Sequence, residues 1–323
     1  MNLVEPQGDS PGYFGPNPLS VMHNDPENTT AREWNFDGLV GPTHHFAGVA
    51  PGNLASRSHA QSPSHPRAAA LQGLAKMNRL RSLGVPQAIL PPQFRPNTAM
   101  LRRLGFRGSD TQVLASAADQ DPRLLSQASS GSSMWTANAA TCCPSADAAD
   151  GRVHFTPANL VTAALRAAET EATASVLRQI FADKDHFSHH APIPASSDMG
   201  DEGAANHTRF GHSSDQPGAQ LFVNGCDPSD ENDADARPRR FPARQSAAAS
   251  NAVARLHQLS DSRTVFARQH PEAIDAGVFH NDVIAVGHRD LLFAHELAFA
   301  EKDATYDALR AAAGDSLTIA EVT

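Results

Sequence analysis

Short apolar runs of strand length alternate with helical patterns along the chain, and this interleaving predicts an α/β fold, not an all-α or all-β one. Length and composition agree. The 323 residues allow one large domain or two small ones and are enough to bury a sizeable core. Hydrophobic residues make up 40% and charged residues 19%, so the chain as a whole is neither disordered nor fibrous. Aromatic residues are only 6%, so aliphatic side chains and Ala must fill the core.

Residues 1–31 carry Pro6, Pro11, Pro16, Pro18 and Pro26 among Gly, Asn, Asp and Ser, and read as a disordered extension. They have no basic start followed by an apolar run, so they do not read as a signal peptide. The folded domain is expected over 32–323, beginning near Trp34. Pro66 opens a helix that places Leu71, Leu74, Met77 and Leu80 on one face, and Gly84 stops it. Gln87–Leu90 reads as a short strand ended by Pro91 and Pro92, and Asn97–Leu104 as a short helix closed by Gly105. Ser109 caps a helix expected to run to about Gln127.

Arg152–Thr156 is a strand, Pro157 is expected to open the next helix, and a further helix covers roughly Ala172–Ala182. Leu221–Val223 is a strand core, Pro242–Leu259 an Ala-rich helix and Thr264–Ala267 another strand. Asp282–Val286 and Leu291–Ala294 flank Gly287-His288-Arg289-Asp290, a hairpin signature. Ser188–Gly203 and Asp227–Arg240 read as loops, and Ser316–Thr323 as a final strand, which would present an unpaired edge. No internal repeat is evident.

Lys plus Arg is 26 and Asp plus Glu is 35, a net charge of −9 that suits neither nucleic acid nor an anionic membrane as partner. No run of about 18 apolar residues reads as a membrane span. Three cysteines cannot build a disulfide framework, which fits a cytoplasmic location.

Four segments carry candidate chemistry. Gly200-Asp-Glu-Gly-Ala-Ala-Asn-His207 sets two carboxylates and a His in a Gly-containing loop, where they either bind a cationic ligand or form a plain turn. Gly277-Val-Phe-His-Asn-Asp282 places His280 and Asp282 two residues apart, and in an extended segment both would face one pocket. That pair supplies a proton carrier and a fixed negative charge, or it caps a turn. His186, His189 and His190 beside Asp183 and Asp185 read as a solvated loop more readily than as a zinc site, and His44-His45 in the Gly-rich turn 41–52 is open to either reading. Cys142 and Cys143 read as buried structural thiols and Cys226 as incidental. With no HExxH, paired CxxC, P-loop, GxGxxG or Gly-x-Ser-x-Gly, neither a metal nor a cofactor is expected.

Longer stretches resemble the N-succinylarginine dihydrolase family. These are Trp34-Asn-Phe-Asp-Gly-Leu-Val-Gly41, Leu101-Arg-Arg-Leu-Gly-Phe-Arg-Gly-Ser-Asp110, Met134-Trp-Thr-Ala-Asn-Ala-Ala-Thr141, Pro144-Ser-Ala-Asp147, Asp150-Gly-Arg-Val-His-Phe-Thr156, Gly200–His207, Phe241–Gln245 and Ile274–Val286. They stand in the family's order and extend from about residue 34 to the last. The resemblance implies a guanidine-modifying, pentein-like five-bladed β/α propeller, of which about three blades are expected in this sequence. The reaction it implies converts N-succinylarginine and two waters to N-succinylornithine, two ammonia and carbon dioxide. By position Glu202 and His280 match the family's catalytic carboxylate and histidine. Substrate-contacting positions are matched by Ala47, Gly48, Val49, Ala50, Pro51, Gly52, Asn53, Leu54, Ala55 and Ser56, and by Asn138, Arg244 and Asp282. Arg166 matches half of a substrate-binding pair whose other member, Leu165 here, is usually His.

The family's nucleophilic Cys lies in a Gly-rich motif within a C-terminal third that has no counterpart in this sequence, and none of Cys142, Cys143 and Cys226 falls at its position. The expectation is therefore an incomplete copy, inactive by itself, or a binding protein that keeps the pocket. A homodimer is implied by resemblance alone.

Overall fold

The computed structural model describes residues 33–46, 53–60, 62–227 and 237–323, and the extension expected over 1–31 lies outside them. Strand β1 (Asn35–Gly38) leads through the short helix α1 (Leu54–Ser58) and the long α2 (Pro66–Ser82) to β2 (Gln87–Leu90), which pairs with β1 in parallel. Helices α3 (Thr98–Arg103), α4 (Asp110–Gln120) and α5 (Pro122–Ala128) then gather around Leu101, Val113, Ala117 and Ala128.

The rest of the chain repeats one ββαβ unit three times. The first holds β3 (Ala140–Cys143), β4 (Val153–Pro157), the single turn α6 (Ala164–Ala167), α7 (Thr170–Ile180) and β5 (Phe187–His189). The second holds β6 (His207–Phe210), β7 (Ala219–Asn224), α8 (Ala247–Leu256) and β8 (Thr264–Arg268). After α9 (Pro271–Asp275), the third holds β9 (Ala285–His288), β10 (Leu291–His295), α10 (Lys302–Ala313) and β11 (Thr318–Val322). In every unit the second strand is central, antiparallel to the first and parallel to the third. A parallel return needs a long crossover, and each unit's helix provides it.

Each helix lies between two sheets. In the first unit Leu177 of α7 packs on Ala140 and Phe155, while Phe181 just beyond it reaches Phe36 of β1 at 5.7 Å. Val253 and Ala254 of α8 pack on Phe222 of β7. On its other side His257, at the end of α8, bonds Thr156 of β4 at 2.8 Å. Tyr306, Leu309 and Ala312 of α10 share a core with Leu221, Val223, Val265 and Ala267 of the second sheet and with Leu292 and Ala294 of the third. The far face of the third sheet is different: Val286, Leu291, Phe293 and Val322 are 51%, 42%, 47% and 40% exposed there.

Several expectations need correction. Of the four residues expected on one face of α2 only Met77 is buried, while Leu71 and Leu74 are exposed. Three-residue steps slip back by about 60° each on a helix of 3.6 residues per turn, so Leu71 and Leu80 lie on opposite sides. The helix expected from Ser109 to Gln127 is two: Ser109 and Gln112 form a capping box on α4, and Asp121 caps α5 with Pro122 at its first turn. Pro157 ends a strand instead of opening a helix. Its ring bars a further ladder donor. The loop expected from Ser188 overlaps β5, and β3 and β6 were not expected at all; both are four-residue strands. The repeat is invisible in the sequence because what recurs is topology and burial, not side-chain identity. The loop expected over 227–240 lies mostly outside the described residues.

Between the first sheet and α8 sits a cluster of three imidazoles. His154 is fully buried, with Nδ1 2.8 Å from His190 Nε2 and Nε2 2.8 Å from Asp150 Oδ1. The His257 ring lies 5.4 Å from each of the other two, stacked on His190 and tilted against His154. Burial, reinforced by its two imidazole neighbours, lowers His257 to about 2, and burial likewise lowers His190. A histidine whose folded pKa lies below its unfolded value leaves the folded state short of protons, so its contribution is complete above about pH 6.5 and fades as pH falls below it. Thermal unfolding should therefore show Tm falling between pH 7.5 and 5.5, with a shallower fall in His257→Gln; equal slopes would contradict this. In urea, Leu292→Ala should lose about 2–5 kcal/mol, as fully buried leucines do. Phe293→Ala, one residue along on the open face, should cost far less.

Candidate active site

The site grows from the turns that precede the first strand of each unit. A 3-10 turn Thr136–Asn138 leads toward β3, Gly203–Asn206 into β6, and Asn281–Val283 toward β9. The three meet: Asn138 Nδ2 donates to the Glu202 carbonyl at 2.9 Å, and the Asn281 amide donates to Asn206 Oδ1 at 2.9 Å. Glycine makes this approach possible. A Cβ on Gly200 would stand 2.5 Å from the Arg244 carbonyl oxygen, and Gly203 has φ +71.

Glu202 is fully buried at the centre. Arg166 on α6 grips its carboxylate with both arms, Nη1 to Oε1 at 2.9 Å and Nη2 to Oε2 at 2.6 Å. Thr162 lies four residues before Arg166, in the turn ahead of α6. It donates to Oε1 at 3.1 Å and accepts from Arg166 Nη1 at 3.0 Å. His280 Nε2 stands 2.7 Å from Oε2. Arg244 Nη1 lies 4.0 Å from the same oxygen and 3.5 Å from His280 Nε2, with its guanidinium over the Phe279 ring at 4.9 Å. Gln245 holds the loop, accepting from the Glu202 amide at 2.7 Å and donating to Asp201 Oδ1 at 3.2 Å.

Burial works to raise the Glu202 carboxyl, but the His280 and Arg166 bonds outweigh it and hold the group well below the usual carboxylate range. Burial also lowers His280, and the neighbouring Arg244 and Arg166 charges oppose the raising effect of Glu202. The directions for the two partners conflict if read as a simple ion pair. They agree once the guanidiniums are counted: two cations already balance one carboxylate, so a third charge on His280 is unfavourable. At neutral pH the group is a carboxylate, two guanidiniums and a neutral imidazole, with one positive charge in excess. Burial lowers Arg244 to about 10, still fully charged. Asp201, buried with Oδ2 unpartnered, is raised to about 6.

The structure thus brings Glu202, His280, Arg166, Arg244 and Asn138 together. Asp282 is not with them: its side chain is exposed, and residues 281–283 form a tight turn instead of the extended segment that would have aligned it with His280. Desolvation by surrounding protein raises its carboxyl to about 6. Leu165 packs against the Leu101 and Val113 cluster, away from Glu202. Ala47–Gly52 lie outside the described residues, while Asn53 caps α1 by accepting from the Ser56 amide. The histidines of the supposed loop take separate partners, His186 with Asp183, His189 with the Phe181 carbonyl and His190 with His154. His44 is buried against the Gln93 carbonyl. The partners of Glu202 and His280 include no sulfur. Cys143 is buried beside His207 and Gln220, and burial pushes its thiol up, the reverse of what a nucleophile needs.

Sequence reasoning missed Thr162, Phe279 and the buried Arg95–Glu169 ion pair at 2.6 Å, which borders the site. Thr162 precedes the extended N-cap of α6, so no helical spacing marked it in the sequence. Arg166 stands in the wall between two small clefts. One is lined by Thr162, Phe241, Arg244, Ile274 and Phe279, the other by Gln93, Ser132, Trp135, Asn138 and Glu169.

The backbone has the fold of a known group. The N-terminal domain of ArgZ, an arginine dihydrolase from cyanobacteria solved with its product, superposes with a TM-score of 0.51 at 12% identity, over 90% of this chain and 76% of that one. The same domain covalently bound to a reaction intermediate gives 0.50, again at 12% identity, over 89% and 75%. The fold is therefore α/β of the pentein type. The succinylarginine dihydrolase family model matches residues 30–323, and this chain belongs to that family. The N-succinylarginine dihydrolase of Burkholderia thailandensis is 56% identical over 284 residues, which are 88% of this chain and 63% of that protein. That of Photobacterium profundum is 53% identical over 292 residues, 90% and 65% respectively. The chain thus spans just under two thirds of the length of these curated relatives. No helix among the described residues is long and apolar enough to cross a membrane.

Removing one member of a buried pair strands the other, so Glu202→Gln should lose about 3–5 kcal/mol of stability. Adding Arg166→Met should return part of that loss. A double-mutant cycle by urea unfolding measures the coupling, and strictly additive losses would contradict the pairing.

Proposed function

We propose that Glu202, His280, Arg166 and Arg244 form the guanidinium-recognising and proton-handling part of an N-succinylarginine dihydrolase site. One observation carries the reading: the Glu202 carboxylate is desolvated, ionised and already matched to a guanidinium fork. A guanidinium is planar, cationic and a poor electrophile, and a buried carboxylate both orients it by paired hydrogen bonds and keeps it charged. Arg244, which lines the cleft beside Thr162 and Phe279 with Nη1 4.0 Å from Glu202, suits a substrate carboxylate by its paired donors, and Asn138 stands at the neighbouring cleft.

In the reaction proposed, a thiolate adds to the guanidinium carbon and a C–N bond breaks as ammonia leaves. His280 takes up the thiol proton beforehand and hands it to the leaving nitrogen, with Glu202 beside it to stabilise the imidazolium. Water then hydrolyses the covalent adduct, and a second round releases the second ammonia and carbon dioxide. We read the three ββαβ units as blades of a five-bladed β/α propeller, with their leading turns at its axis. Neither Cys143, buried in another network, nor Cys226, whose Sγ reaches the Gln245 carbonyl at 3.5 Å, bonds Glu202 or His280, and Cys142 lies beside Cys143 on β3. On this reading the 323-residue chain alone binds N-succinylarginine without turning it over.

Calorimetry should detect N-succinylarginine binding to the chain, and a coupled ammonia assay should show no release above background. Absence of binding would sink the recognition reading. Robust ammonia release would sink the assignment of the nucleophile.

A further inference from the structure

Asp201 is a second buried carboxyl group beside Glu202, and its two oxygens are used unequally. Oδ1 accepts from the Gly203 amide at 3.2 Å and from Gln245 Nε2 at 3.2 Å, while Oδ2 is buried without a partner. A buried acceptor left empty is costly and calls for a reason. Asp201 bonds none of the side chains that hold the Glu202 carboxylate, so ion pairing is not that reason. Its backbone is fixed as firmly as its side chain. The Asp201 amide donates to Asn159 Oδ1 at 2.9 Å, and its carbonyl accepts from the Leu160 amide at 3.1 Å. Leu160 holds φ 53, a left-handed conformation that a leucine keeps only when its surroundings impose it.

We propose that Asp201 is a positioning residue for the Glu202–His280 pair, acting as a hydrogen-bond acceptor and not as a charge. This inference rests on the proposed proton-handling role of that pair. The two bonds to Oδ1 grip Glu202 from both sides. The Gly203 bond fixes the peptide that follows Glu202. The Gln245 bond fixes the peptide that precedes it, because Gln245 Oε1 accepts from the Glu202 amide at 2.7 Å. Gln245 Nε2 also donates to Ser250 Oγ at 3.2 Å, so its amide has only one satisfying orientation. The Glu202 carboxylate is thereby delivered to His280 Nε2 at 2.7 Å. A neutral imidazole that donates to a carboxylate must carry its proton on that nitrogen, so a displaced Glu202 would release the tautomer of His280 as well as its orientation. The empty oxygen now has a use. A proton taken up by Asp201 settles on Oδ2, which receives no other hydrogen, and Oδ1 keeps both of its donors. The grip therefore survives titration of the group that makes it.

Proton NMR on the whole chain tests this without a ligand. The buried His280 Nε2–H, bonded to a carboxylate, should give a downfield, slowly exchanging resonance, assigned by its loss in His280→Gln. Asp201→Ala and Gln245→Met should each lose it. Asp201→Asn, which keeps an acceptor at Oδ1 without the charge, should retain it. Leu292→Ala, in the core of the third unit, destabilises the fold elsewhere and should also retain it. In calorimetry N-succinylarginine should weaken about tenfold or more in Asp201→Ala and by little in Asp201→Asn. Where thermal unfolding shows Asp201→Ala misfolded, the contrast between Gln245→Met and Asp201→Asn decides. An unaltered chain without the resonance, its survival in folded Asp201→Ala and Gln245→Met, or its loss in Asp201→Asn would each overturn the positioning role. If N-succinylarginine binds in any of those cases, the recognition reading stands alone. If no form binds while the resonance keeps the stated order, the recognition reading fails and Asp201 still sets the geometry of the pair.

Discussion

A carboxylate shut away from water stays ionised only if the protein supplies what water would have supplied, and the organisation of this molecule around Glu202 follows from that requirement. Two guanidiniums, an imidazole and a threonine hydroxyl converge on one side chain with no exposed surface. The Gln245 side chain and the Asn138 amide fix its backbone from either side. Both oxygens are engaged, and the surplus is positive. Such a group is costly to build, and it differs in make-up from the Arg95–Glu169 pair nearby. There the carboxylate is held by Arg95 and by the Ser132 hydroxyl, and the pair serves to tie the β2 connection to the first repeat unit.

The repeated ββαβ unit explains why those groups can meet. Each helix is shared between its own sheet and the preceding one, so successive units are joined through their helices. The contact between β6 and β9 is tight enough that a Cβ on Gly287 would come within 2.3 Å of the Thr208 side chain. The turns leading to the first strands meet, with Asn138 from one and Glu202 and His280 at the caps of the others, and Arg166 and Arg244 join them from α6 and the segment before α8.

Much of this was legible in the residues and some was not. The strands Gln87–Leu90 and Thr264–Arg268 and the hairpin around Arg289 announced themselves through apolar runs and turn residues. Strands β3 and β6 did not, because Ala-Thr-Cys-Cys and His-Thr-Arg-Phe lack a β-branched run and their neighbours decide the conformation. The pairing of Glu202 with His280 followed from matching motifs that lie far apart in the chain, while the separation of Asp282 did not follow, since a three-residue turn defeats the alternation of an extended strand. The engagement of Arg166 with Glu202, in place of a free guanidinium awaiting a carboxylate, is a matter of burial and charge balance that no linear pattern displays.

Because each of the three turns contributes to one cluster, no single repeat contains a functional fragment of it. A partly docked chain would leave Glu202 exposed to water and without its guanidinium partners, and would bind nothing. On the proposed reading, a ligand held at the centre would report the assembly of all three repeats at once and would resist the opening of any one of them.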